Sequence, residues 1–265
     1  QQHFVLGYAP NPVSNGHFTI DGQNGQMCYV ARLDNNQMQY VVRIKVVTKN
    51  GTTHYSNGQL VVDGADEAVI YLTADTDYAP NYNPDFGDAK AYVGVNPVQT
   101  TERWMVKAVK RGYDKLFAEH YKDYASLFNR VHFTLAEGTD AQQHKPTNER
   151  LADYRKGVTD PQLETLYYQY GRYLLIASSR PGNLPANLQG MWHNNVDGPW
   201  RVDYHNNINL QMNYWPALPT NLTECTEPLT NFIRLLEKPG ERTARAYWGA
   251  RGWAAGISAN IFGFT

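Results

Sequence analysis

Cysteine is scarce: Cys28 and Cys225 are the only two in 265 residues, too few for a disulfide framework. Neither belongs to a C-x-x-C pair or another metal-ligand spacing, and the redox compartment stays open. An excess of one charge is also missing. There are 24 Lys and Arg against 25 Asp and Glu, a formal charge of −1, with no long block of like sign. Nucleic-acid binders carry a clustered basic surplus, so no nucleic-acid partner is expected. Apolar runs are short. Leu60-Val61-Val62 and Leu174-Leu175-Ile176-Ala177 are typical, far below the roughly 20 residues that a spanning helix needs, and no membrane partner is expected. The G-x-S-x-G elbow, the Walker loop, G-x-G-x-x-G and H-E-x-x-H are all absent. Gln1-Gln2-His3 opens the chain without the basic and apolar regions of a signal peptide.

What is present points to a folded chain. Hydrophobic residues make up 42% of it, and its length suits one large domain or two ordinary ones. Tyrosine and tryptophan, at 19 and 6, outnumber the 9 phenylalanines. Rings with a polar handle suit sugar-holding surfaces, and they equally suit cores and interfaces.

Up to about residue 95 the pattern alternates with period two. Tyr40, Val42, Ile44 and Val46 share one strand face, Val41, Arg43, Lys45 and Val47 the other, and Lys49-Asn50-Gly51 supplies a turn. A second β-rich run covers Glu67 to Thr76 after a turn at Asp63-Gly64-Ala65-Asp66. These strands are expected to form part of a sandwich. The Pro- and Asn-rich stretch from Tyr78 to Pro97 reads as a long connection. From Thr101 to Phe128 the apolar positions recur at three- and four-residue steps, with Gly112 breaking two helices apart. A surface loop is expected over Glu137 to Glu149. A strong helix follows, with Asp160 as N-cap and Pro161 at its first position. A further helix is expected from about Glu224 to Leu236, stopped by Lys238-Pro239-Gly240. The predicted domains are 1–95, a β-sandwich portion; 96–159, a helical linker; and 160–265, the start of a helical domain.

Chemistry concentrates between Gly182 and Trp215, which hold eight Asn, three of the six Trp, two of the eight His and only Asp197 and Asp203 as carboxylates. Amides that donate and accept, beside flat apolar rings, are what a hydroxylated ring needs from a site. Asn and Gly also mark ordinary turns. His205, Asn207 and Asn209 alternate, so in an extended segment they point to one side. Alternatively they cap and satisfy the start of a helix carrying Leu210, Met212 and Tyr214. His193, Asp197, Asp203 and His205 have no recognised ligand spacing, so no metal is expected, and Asp197 in Asp-Gly-Pro reads as a turn residue. No cofactor is expected. Two N-x-T sequons, at Asn50 and Asn221, carry meaning only on a eukaryotic secretory route.

Three motifs together resemble glycoside hydrolase family 95, the inverting α-1,2-L-fucosidases and related α-L-galactosidases. They are Leu184 to Trp192 (LPANLQGMW), Asp203 to Pro216 (DYHNNINLQMNYWP) and Asn221 to Cys225 (NLTEC). The likeness extends back through Arg111-Gly-Tyr113, Asp123-Tyr124 and Leu127 to Val131 into the β region. It implies a multidomain β plus α fold: part of an N-terminal β-supersandwich, a helical linker and the first helices of an (α/α)6 barrel, within a longer protein. It further implies an inverting hydrolase in which a general acid Glu protonates the leaving oxygen while Asn207 and Asn209 hold the attacking water. His205 matches a sugar-contacting residue associated with fucose rather than galactose, and Trp192 and Trp200 are further substrate-binding candidates. The acid and the Asp that assists the Asn pair have no counterpart here, and Glu224 and Glu227 fall in a helix-packing segment. The implied partner is a fucosylated or L-galactosylated glycan, with the remainder of the barrel required. A secreted or periplasmic, bacterial protein is expected. The resemblance implies removal of terminal α-L-fucose from glycans; the alternatives are an α-L-galactosidase of the same family and a truncated, non-catalytic carbohydrate-binding protein. Gly256 departs from the family pattern, where relatives usually carry His, and this bears on the choice of sugar or aglycone.

Overall fold

The structure is a computed structural model that describes residues 2–6, 14–195 and 198–265. The chain divides into two compact units, residues 1–120 and 121–265.

Among the described residues the first unit contains seven strands: β1 (Gln2–Leu6), β2 (Ser14–Asp21), β3 (Gln26–Leu33), β4 (Gln39–Lys49), β5 (Thr52–Ser56), β6 (Gln59–Ala65) and β7 (Glu67–Thr76). They form two antiparallel sheets, ordered β1-β6-β5 and β2-β3-β4-β7. Met27 and Val46 from one sheet meet Leu60, Val62 and Ala65 from the other in one buried cluster, edged by Phe18, Ile20 and Ile44. The period-two pattern thus buries one face of each sheet against the other. β4 is covered on its second face too, because α1 (Pro97–Arg111) packs on β4 and β7. Val41 and Arg43 are consequently buried, and the Arg43 guanidinium pairs with Glu102 at 2.7 Å.

Asn50 and Gly51 turn with positive φ (58° and 70°), as the sequence suggests. The turn expected at Asp63 to Asp66 is shorter than that: β6 runs through Ala65, and Asp66 alone separates it from β7. Register explains this, since the Asp66 amide donates to the Lys49 carbonyl and keeps β7 in step with β4. Residues 78–95 contain no named strand or helix, and Tyr78 stacks on Tyr92 there. Asn96 caps α1 by accepting from the Val98 amide, and Gly112 (φ 78°) separates α1 from α2 (Tyr113–Phe128).

The second unit holds the later helices: α3 (Asp140–Gln143), α4 (Thr147–Tyr154), α5 (Pro161–Ser178), α6 (Asn209–Tyr214) and α7 (Glu227–Trp248). The expected loop over 137–149 therefore contains α3 and the start of α4. Thr139 and Gln142 build a capping box there, a pairing that makes one turn of helix favourable in polar sequence. α5 starts as expected: Asp160 accepts from the Leu163 amide and Pro161 occupies the first turn. Asp160 is also clamped by Arg150 through two hydrogen bonds, 2.7 and 2.8 Å. Arg172 on α5 is 2% exposed and donates to the carbonyls of Leu127 and Phe128, satisfying the C-terminal end of α2.

α7 departs from expectation. It starts three residues later than Glu224 and passes through Pro239 to Trp248, ending at Gly249 in the left-handed region. Phe232, Leu235, Leu236, Pro239, Gly240 and Ala244 are all buried along it. Continuous burial of that stripe outweighs the hydrogen bond that Pro239 forfeits, and the Gly240 carbonyl accepts from the Ala254 amide.

Candidate functional site

The Asn-rich segment is anchored by its aromatic and aliphatic residues. Tyr204, Leu210 and Tyr214 are buried. The Tyr204 hydroxyl donates to the Pro185 carbonyl at 3.0 Å and its ring lies 4.3 Å from that of Phe232 on α7. The Tyr214 hydroxyl accepts from the Ala186 amide at 2.8 Å and bonds Ser179 Oγ at 2.8 Å. In this way the LPANLQGMW stretch is tied to the DYHNNINLQMNYW stretch and to the end of α5. Replacing Tyr214 by Phe leaves a buried amide without its acceptor. An expected stability loss of about 1–3 kcal/mol should appear as a lower denaturant midpoint at unchanged slope.

The geometry between His205 and Asn209 corrects both sequence expectations. β8 (Tyr204–His205) pairs with β9 (Ser258–Ala259) and stops there. Residues 206–208 turn, and Asn209 is the first residue of α6. Alternation in an extended strand therefore does not reach Asn207 or Asn209. Helix capping does not describe them either, since the cap position of α6 is Ile208, with no side-chain cap bond. Asn206, which the sequence did not single out, holds the turn. Its amide donates to the Ile257 carbonyl at 2.6 Å and its Nδ2 to the Gly256 carbonyl at 3.0 Å. Asn207 and Asn209 are exposed, and neither side chain makes a hydrogen bond among the described residues. The structure thus divides the amides by role: Asn187, Asn206 and Asn213 are spent on backbone groups, while those of Asn207 and Asn209 remain uncommitted.

His205 is mostly covered, with a side chain 14% exposed. Its Nδ1 lies 2.5 Å from Oδ1 of Asp203, and the indole of Trp200 meets its ring edge-on at 5.7 Å. Trp200, Arg201 and Val202 all have positive φ (57°, 60° and 55°) without being glycine. Such backbone costs on the order of 1–3 kcal/mol per residue and collects at functional segments. Trp200 itself is 74% exposed. Trp192 lies elsewhere, on a cavity of about 370 Å³ shared with Gln189, Asn213 and the Leu174 side of α5. Asp197, one of the four residues weighed for a metal, lies outside the described residues.

Gly256, the departure from the family pattern, sits beside this turn through its carbonyl's bond to Asn206, and a Cβ there would meet only Thr265, at 4.0 Å. Glu224 is occupied away from any site, paired with Arg130 through two bonds of 2.7 and 2.9 Å that hold its carboxyl below the usual range.

Comparison with known proteins agrees with this layout. Residues 112–265 match the glycosyl hydrolase family 95 catalytic domain, and residues 8–81 match the N-terminal domain of glycosyl hydrolase family 65. The chain is 38% identical over 237 residues to Alpha-L-fucosidase 2 of Arabidopsis thaliana, covering 88% of this chain and 27% of the plant protein. It is likewise 38% identical over 237 residues to Probable alpha-fucosidase A of Aspergillus niger, covering 86% and 29%. Against Probable alpha-fucosidase A of Aspergillus oryzae it is 34% identical over 220 residues, covering 81% and 30%. The chain thus spans less than a third of the length of these relatives. They come from a plant and two fungi, which overturns the expectation of a bacterial, and with it a periplasmic, protein; the motifs that suggested it follow the family's site chemistry, not a lineage. A catalytic-domain match over more than half of the chain shows that it belongs to glycosyl hydrolase family 95.

Proposed function

We propose that the protein containing this chain is an exo-acting glycoside hydrolase that releases terminal α-L-fucose with inversion. Water attacks the anomeric carbon on the face opposite the leaving oxygen. The C–O bond to the aglycone breaks, one proton of the water passes by way of the carboxamide pair to an assisting carboxylate, and a carboxylic acid supplies a proton to the departing alcohol. The observation that carries the proposal is the pair of uncommitted, exposed carboxamides of Asn207 and Asn209, on a turn held from behind by Asn206 and by buried Tyr204, Leu210 and Tyr214. Their oxygens can accept the water's hydrogens and aim its lone pair, which is positioning more than basicity. An amide is too weak a base to act alone; the family resemblance implies an assisting Asp and an acid Glu that have no counterpart in this sequence, and the rest of the barrel is required. The largely covered His205 ring and the exposed Trp200 indole that meets it edge-on offer one face to the sugar, and Trp192 a second apolar face.

The test is hydrolysis of a panel of α-L-fucosides and α-L-galactosides, with the product's anomeric configuration followed by NMR. β-L-Fucose as the first product supports the proposal. Retention of the α configuration, or no hydrolysis of any member, overturns it, and a preference for L-galactosides would make this chain part of an α-L-galactosidase. L-Fucose and L-galactose differ in the substituent at C5. Replacing His205 by Ala is therefore expected to bring the fucoside and galactoside kcat/KM values closer by about tenfold. An unchanged ratio would remove His205 from sugar selection.

A further inference from the structure

Asp203 and His205 are two residues apart, with Tyr204 of β8 between them, a spacing that turns both side chains to the same side. Asp203 Oδ1 and His205 Nδ1 are shut off from solvent, are 2.5 Å apart, and have no hydrogen-bond partner elsewhere among the described residues. The approach lies off the straight line of a hydrogen bond. At that separation a carboxylate oxygen and an unprotonated ring nitrogen would set lone pair against lone pair, so the contact favours the ring form that carries its proton on Nδ1. We infer that Asp203 is a positioning residue that fixes His205 as the Nδ1–H tautomer and so presents a bare Nε2, an acceptor for a hydroxyl of the sugar. The Trp200 indole, edge-on to the same ring, holds its plane. The Asp203 backbone is itself fixed, since its carbonyl accepts from the Leu188 amide.

The inference deepens the sugar-binding role proposed for His205 and rests on it. Without an acceptor at Nδ1 the ring is free to carry its proton on Nε2. The sugar hydroxyl would then face a donor where it needs an acceptor.

The experiment uses the protein as its gene encodes it, labelled with ¹⁵N-histidine and recorded near pH 8, above the ordinary histidine range. The His205 signals are assigned by their loss in His205→Gln. The expected wild-type spectrum shows the unprotonated nitrogen coupled to both ring carbon-bound hydrogens, the pattern of the Nδ1–H form. Asp203→Leu should reverse the pattern and raise KM for an α-L-fucoside about tenfold with kcat within about twofold, the signature of lost ground-state binding. Asp203→Asn keeps an acceptor oxygen and should preserve both pattern and KM. An unprotonated Nδ1 in the wild type, or an unchanged pattern in Asp203→Leu, overturns the inference. Should Asp203→Leu fail to fold, the wild-type spectrum decides. A wild type that hydrolyses no fucoside defeats the activity proposal, while the tautomer is still read directly.

Discussion

Replacing Asn209 by Gly in the protein as its gene encodes it is expected to lower kcat on an α-L-fucoside by about two to three orders of magnitude, with KM changed by less than about threefold. The side chain is exposed and makes no hydrogen bond within the described residues, so its removal takes no packing or internal bond with it. Asn209 is the first residue of α6, and the helix that follows is tied down by buried Leu210 and Tyr214. Glycine at that position costs about 1 kcal/mol or less in helix stability. On the proposed mechanism, what is lost is the carboxamide oxygen that aims the water in the transition state, an interaction that would lower the barrier without tightening substrate binding. Steady-state kinetics on the purified variant, with a denaturation curve alongside, separate the two effects. A near-wild-type kcat at wild-type stability would remove Asn209 from the reaction.

Replacing Arg150 by Ala is expected to destabilise the second unit by about 3–5 kcal/mol, because it strands a buried carboxylate. The side chains of Arg150 and Asp160 are only 9% and 3% exposed, and the guanidinium grips both carboxylate oxygens. Asp160 simultaneously caps α5, so the pair fixes where that helix begins. A loss under about 1 kcal/mol, the value of a surface pair, would contradict this. The sign of the pH effect follows from the same contact. The Arg150 hydrogen bonds, aided by the Leu163 amide and the guanidinium charge, hold the Asp160 carboxyl below its ordinary value against the opposing effect of burial. A carboxyl lowered in the folded state stabilises fully above the ordinary range, near pH 4, and loses that contribution as pH falls toward its folded value. Denaturation midpoints between about pH 6 and pH 3 should therefore drop more steeply in the wild type than in Arg150→Ala.

Much of the architecture is legible along the chain because it depends on neighbours in sequence. β7 covers Glu67–Thr76, the run the alternation marks, and both Asn96-Pro97 and Asp160-Pro161 open helices through side-chain oxygens that accept from the first free amides. Gly112 separates α1 from α2 for an equally local reason, its positive φ. The end of α7 is not legible this way. Pro239 and Gly240 signal a stop, yet both are buried in a helix that continues to Trp248. Only what packs around them shows that burying the stripe outweighs one missing hydrogen bond.

The candidate site divides along the same line. Sequence alone determined which residue types gather between Leu184 and Pro216, and with them the resemblance to a glycosidase family, because composition and spacing are properties of the chain itself. Tertiary structure decided which of those amides are spent on the backbone. Asn206 turns the chain against Gly256 and Ile257, some fifty residues away, and leaves Asn207 and Asn209 facing outward, while Asp203 closes on His205. Hydrogen-bond partners so distant along the chain leave no trace in local periodicity, so the assignment of each polar group waited on the fold.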